Sequence, residues 1–148
     1  MTVLRDMQLA DCAAVAEIDK SCFSIPLSKE GYEREYTNPN STTIVAERDG
    51  RIIGFANVWN ICGDVTLNNI AVIEEERSNG VGSMLLREVL ARYAGCDFVT
   101  LEVRRSNEGA IKLYKSFGFR QVGIRKDFYD LPKEDALLMT VFLEDARR

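Results

Sequence analysis

Histidine is absent from these 148 residues. Its absence removes Ser–His and Cys–His nucleophile pairs, histidine metal sites and the commonest general base. Acid–base chemistry therefore falls to Asp, Glu, Tyr, Cys, Lys or an ordered water, and no metal is expected. Membrane-length apolar runs are also missing, since nothing approaches the ~18–20 residues of a span. The N-terminal MTVLRDMQLADC lacks the basic-then-apolar layout of an export signal. Four cysteines (Cys12, Cys22, Cys62, Cys96) are scattered with no C-x-x-C pair, so reduced thiols and a cytoplasmic location are expected. A formal charge of −4 disfavours nucleic acid as a partner.

What is present is ordinary for a folded chain: 46% hydrophobic and 28% charged residues, enough to build one core. A single domain over 1–148 is expected, without repeats or linkers. Thr2–Arg5 alternates as a strand, and Leu9–Cys22 has helical spacing. Ser28 can cap a short second helix carrying Tyr32 and Tyr36 on one face. Asp49-Gly50 predicts a hairpin between Thr42–Glu47 and Arg51–Trp59. Gly63-Asp64 turns into Val65–Val72, where Asn68 and Asn69 interrupt an apolar run. Either one of them faces a partner or ligand, or they mark a bulge. A helix over about Gly80–Tyr93 follows. Then come Phe98–Val103, read as a central parallel strand covered on both faces, a helix from Asn107 to Ser116, and a closing hairpin of Phe119–Phe128 with Ala136–Leu143. The order predicts an α/β (α+β) domain with a mixed central sheet.

Between the Val72 strand and the Gly80 helix runs Arg77-Ser78-Asn79-Gly80-Val81-Gly82. Glycines here can bare backbone N–H groups where a helix begins, a natural seat for phosphate, or they can be plain turn chemistry. No Lys-Ser/Thr follows Gly82 and G-x-G-x-x-G is absent, which excludes the nucleotide-hydrolase loop and the dinucleotide fingerprint. The pyrophosphate of an acyl carrier remains.

Glu102 is the only charge in VTLEV. A carboxylate in an otherwise apolar strand is costly unless paired or used, or else it lies on a wet edge. Tyr114, in LYKSFGF, reads by itself as a core tyrosine with its hydroxyl tied to backbone. Asn107 reads as an N-cap.

Taken together, Asn69-Ile70-Ala71-Val72, R-x-x-G-x-G at 77–82, Leu101-Glu102-Val103-Arg104 and Asn107…Leu113-Tyr114…Phe117-Gly118-Phe119 resemble, in order and spacing, the Gcn5-related N-acetyltransferase superfamily. Within it, LEVR-x-SN, Arg125–Tyr129 and Glu134-Asp135-Ala136 with Met139 are similar to the bacterial ribosomal-protein alanine N-acetyltransferases. Leu27 departs from that group, which usually has tryptophan there, and Ser78-Asn79 stand where a basic and a small residue are common.

The resemblance implies a mixed sheet of about seven strands flanked by about four helices, and acetyl-CoA as cosubstrate. It implies that the main chain of Ile70, Ala71 and Val72 pairs with the pantetheine arm, and that the Arg77-Ser78-Asn79-Gly80-Val81-Gly82-Ser83 loop holds the pyrophosphate through N–H groups from Ser78 onward. Asn107 would bond the carrier further along. Glu102 would be the base, Tyr114 the acid, and the Val72 N–H a donor to the thioester oxygen. The acceptor so implied is a protein N-terminus, of a ribosomal protein first. A small amine (polyamine, amino acid or antibiotic) and a non-catalytic acyl-CoA-binding module are the alternatives.

Overall fold

The computed structural model describes residues 1–143. Strand β1 (Thr2–Asp6) leads through a 3-10 turn at Leu9–Asp11 into α1 (Cys12–Cys22). The expected helix from Leu9 thus starts three residues late, because the Asp11 carboxylate accepts from the Gln8 N–H at 2.7 Å and holds the first turn tight. Helix α2 (Lys29–Thr37) is capped by Ser28, whose hydroxyl accepts from Gly31 N. Tyr32 on α2 is fully buried whereas Tyr36, four residues on, is exposed.

A meander of β2 (Ser41–Arg48), β3 (Arg51–Ile61) and β4 (Asp64–Val72) follows, then α3 (Val81–Arg92), β5 (Phe98–Arg104), α4 (Glu108–Ser116), β6 (Arg120–Tyr129) and β7 (Glu134–Phe142). The seven strands form one sheet in the order β1-β2-β3-β4-β5-β7-β6. The last strand is therefore interior and β6 takes the edge. Helix α3 buries Val81, Leu85, Leu86 and Val89, worth about 1.5–3 kcal/mol each against exposure. No helix among the described residues is long and apolar enough to cross a membrane.

The sheet changes character at its centre. β4 and β5 pair in parallel over only Val65–Leu67 with Val99–Leu101. Beyond that β4 continues along β3 to Val72, and β5 along β7 to Arg104. The cause lies at Asn68. The β3–β4 register shifts there, Asn57 opposing Asn69 and Val58 opposing Leu67, and a bulge of this kind bends its strand. The Asn68 amide donates to Asn57 Oδ1 at 2.9 Å, and buried Asn57 donates onward to Ser41 and Thr43. The bulge reading of Asn68 holds, with its side chain bonded inside the sheet to Asn57.

β5 is accordingly parallel on one side only, and its burial alternates: Val99, Leu101 and Val103 are buried, Thr100, Glu102 and Arg104 are not. The expected strand covered on both faces is corrected. One face is left open beside the gap that β4 vacates.

Asp19 of α1 is buried, and its Oδ2 accepts from the Tyr32 hydroxyl at 2.5 Å and from Leu27 N at 3.2 Å. Burial raises its pKa, opposed by these two donors. Tyr32→Phe removes one donor from a buried carboxylate and should cost about 1–3 kcal/mol, read from urea unfolding at neutral pH. Losing that donor raises the folded-state pKa of Asp19 further. The deficit is therefore present above that pKa and shrinks as pH falls through it and the carboxyl protonates. An unchanged midpoint would remove the pair from the account of α1–α2 packing.

Candidate active site

At the gap, the alternation of β4 decides which backbone groups are available. Ile73 N donates to Ile53 O at 2.9 Å, and Phe55 opposes Ala71 in the same register. By the two-residue period of an antiparallel pair, the N–H and C=O of Ala71 are spent on β3, whereas those of Ile70 and Val72 turn toward the gap. Of the three residues expected to pair with a ligand arm, the middle one faces the wrong way. The Val72 carbonyl is already visited: Arg77 Nε donates to it at 3.1 Å and the Cys22 thiol at 3.8 Å. Arg77 thus folds its side chain back over the end of β4, with Nη2 3.3 Å from Cys22 Sγ.

The glycine loop sits directly beyond. Ser78 and Gly80 both take positive φ, 72° and 82°. Gly80 is the residue before α3, and the first helical bond runs from Met84 N to Gly80 O. The N–H groups of Val81, Gly82 and Ser83 are thereby left without intrahelical acceptors at the positive end of the helix. One amide of the expected set is used within the loop, Asn79 N on Glu76 O, as is that of Arg77 just before it, on Glu74 O. The two glycines serve different needs. A side chain at Gly80 would meet nothing but would be strained by its φ, whereas one at Gly82 would reach Leu113 of α4 at 3.4 Å.

Glu102 lies on the open face of β5. Its Oε2 is buried without a hydrogen-bond partner, and the nearest cation is Arg125 Nε at 3.7 Å, too long for a hydrogen bond. An orphaned carboxylate oxygen is expensive; the side chain as a whole is partly exposed, and its strand is interior to the sheet and not an edge.

Tyr114 is buried on α4, its ring 5.7 Å from that of Phe119. Among the described residues no group hydrogen-bonds its hydroxyl, so it is not the backbone-tied core tyrosine that its surroundings in sequence suggest. Burial, and then the neighbouring Tyr129, push its pKa up. Tyr129 itself is pushed up to about 12 by burial and by Glu102, with Arg104 opposing. Tyr129 thus stands within electrostatic reach of both Glu102 and Tyr114. Arg104 and Tyr129 lie within the LEVR-x-SN and Arg125–Tyr129 segments of the resemblance, but the motifs assign neither a role of its own. The available signal for Arg104 was its spacing of two from Glu102 on one strand. Asn107 is the N-cap of α4, accepting from Ala110 N at 3.2 Å through Oδ1, which leaves its amide nitrogen to donate elsewhere. Leu27 packs against the buried core, close over Gly31.

The arrangement offers an open strand edge, a row of free amides at a helix start, a carboxylate oxygen without a hydrogen bond among the described residues and a protonated phenol. Residues 12–119 match the model of the acetyltransferase (GNAT) family. A Bacillus subtilis protein is 37% identical over 145 residues, covering 96% of each chain. The [ribosomal protein bS18]-alanine N-acetyltransferase of Salmonella typhimurium is 31% identical, over 95% of this chain and 97% of that one. The crystal structure of the ribosomal-protein-S18-alanine N-acetyltransferase from Escherichia coli superposes with a TM-score of 0.90 at 27% identity, over 97% and 94% of the two chains.

Proposed function

The chain belongs to the acetyltransferase (GNAT) family, and from that premise we propose that it moves an acetyl group from acetyl-CoA to the N-terminal α-amine of a protein, a ribosomal protein first among the candidates. The observation that carries the chemistry is Glu102 Oε2, buried beside the gap between β4 and β5 with no hydrogen-bond partner among the described residues. The acceptor class is supported by relatives of nearly equal length whose names state that activity.

The cosubstrate fits the residues present. Ile70 with its N–H and C=O, and Val72 with its N–H, have backbone groups turned to the gap that suit pairing with an extended pantetheine arm as an added strand. The amides of Ser78, Gly80, Val81, Gly82 and Ser83 suit its pyrophosphate, while Arg77 and Asn79 would contribute side chains rather than N–H groups. Asn107 would bond the carrier through its amide nitrogen.

In this reading Glu102 takes the proton of the attacking amine, directly or through a water. An α-amine, with a pKa near 7.7–8.0, gives it up more readily than a lysine near 10.4. The new N–C bond forms as the C–S bond breaks, and Tyr114 gives its proton to the departing sulfur. The Val72 N–H, turned into the gap, would donate to the thioester oxygen as charge gathers there. Holding amine and thioester together supplies much of the remaining rate.

The test is thiol release from acetyl-CoA with an N-terminal peptide and a polyamine mixture offered separately, the products identified by mass spectrometry. Turnover with the peptide alone, giving an α-N-acetyl product, is the expected result. Turnover with the small amines alone would keep the enzyme class and overturn the acceptor. Binding of acetyl-CoA with no turnover on a wide acceptor panel would favour a non-catalytic module.

A further inference from the structure

β5 presents a second side chain on the face of Glu102. Arg104 follows two residues later, with buried Val103 between them. Its guanidinium is mostly covered and reaches two segments far apart in the chain. Nη2 donates to Ser24 Oγ at 3.0 Å, in the loop between α1 and α2. Nη2 also donates to Asp130 O at 2.8 Å, and Nη1 to Pro132 O at 2.8 Å, both in the turn between β6 and β7. Nη1 lies 3.3 Å from Glu134 Oε1, at the start of β7. Cζ stands 4.5 Å over the Tyr129 ring.

A planar fork with five donors suits this work, since it can hold several acceptors at fixed angles at once. Ser24 is tied to the segment that Asp19 anchors at Leu27. Tyr129 is the tyrosine within electrostatic reach of both Glu102 and Tyr114. Both segments also show large apolar side chains to solvent, Ile25 on one, Phe128 and Leu131 on the other.

We infer that Arg104 is a positioning residue for the acceptor: from β5 it ties the α1–α2 loop to the β6–β7 turn, holding the two segments as lips over the face of the strand that carries Glu102. It acts through Ser24 and Tyr129 and touches no reacting atom. The inference rests on the proposed reading only in naming the acceptor as what these segments receive.

Two measurements on the full chain test it. Arg104→Ala should raise the KM of the peptide acceptor about 10–100-fold, with a smaller change in kcat and the KM for acetyl-CoA kept within about twofold. Arg104→Lys should not rescue it, because an ammonium restores the charge without the fork. Hydrogen exchange in Arg104→Ala should quicken in residues 23–28 and 129–134 together, while α3 and β3 keep their protection. Faster exchange in one segment alone, an unchanged acceptor KM, or full rescue by lysine would overturn the inference. If the unaltered protein turns over neither acceptor, the functional reading fails, and the exchange data by themselves decide whether Arg104 joins the two lips.

Discussion

Replacing Glu102 with glutamine is expected to cut kcat/KM by about 10²–10⁴-fold, the range of a lost general base, while acetyl-CoA binds as before. The substitution conserves shape, so the β5–β7 ladder through Leu138 opposite Glu102 is untouched. Stability should not fall, because Oε2 has no hydrogen bond to lose and Arg125 at 3.7 Å is a half-exposed partner of the kind that contributes little. The unfolding midpoint in urea and the Kd for acetyl-CoA by calorimetry are the controls. With both unchanged, a lost rate isolates proton removal. Raising the pH should restore part of that rate, since an amine already neutral in solution needs no base. Full activity in Glu102→Gln at neutral pH would withdraw the role.

Local elements of this fold are written in local residues. Asp49-Gly50 predicts a hairpin, and both residues take positive φ, 53° and 78°. Ser28 and Asn107 predict helix starts, and each side chain caps the helix that follows. Val81, Leu85 and Val89 recur at helical spacing, and all three are buried on α3. Convergence is different. Nothing around Phe119–Leu143 says that β7 should slide between β5 and β6, because that choice is made by which edge of β5 is free. The gap beside β5 depends on an extra residue at Asn68 whose bend is set by a hydrogen bond to Asn57, eleven residues away. Arg104 reads in sequence only as the last residue of the LEVR segment. Its partners at Ser24, Asp130 and Pro132 lie 80, 26 and 28 residues distant. Motif order brings Glu102, Tyr114 and the glycine loop to notice, whereas what holds them in relation is long-range.

The same long-range packing gives Tyr114 its expected pH behaviour. Tyr114→Phe should lower kcat about 10²-fold or more, the contribution of a positioned acid, with little effect on folding since the hydroxyl bonds no described residue and the ring keeps its place against Phe119. The pH profile carries the sharper test. An ordinary tyrosine ionises near 10, and an acid with that pKa would bend the profile down as pH approaches it. Burial and Tyr129 both raise the pKa of Tyr114, and Tyr129 is itself held up to about 12. A raised pKa keeps each phenol neutral to higher pH, so the acid form persists across the working range. The profile of kcat/KM between pH 6 and 10 should therefore rise with deprotonation of the acceptor amine and level off without a descending limb. Undiminished turnover in Tyr114→Phe would withdraw the assignment and move the proton donor to water or to Tyr129. A descending limb in the unaltered enzyme near pH 9 that the Phe variant lacks would keep Tyr114 as the acid but overturn its raised pKa: the phenol would not be shielded as its burial requires, and its packing against Phe119 would open to solvent during turnover.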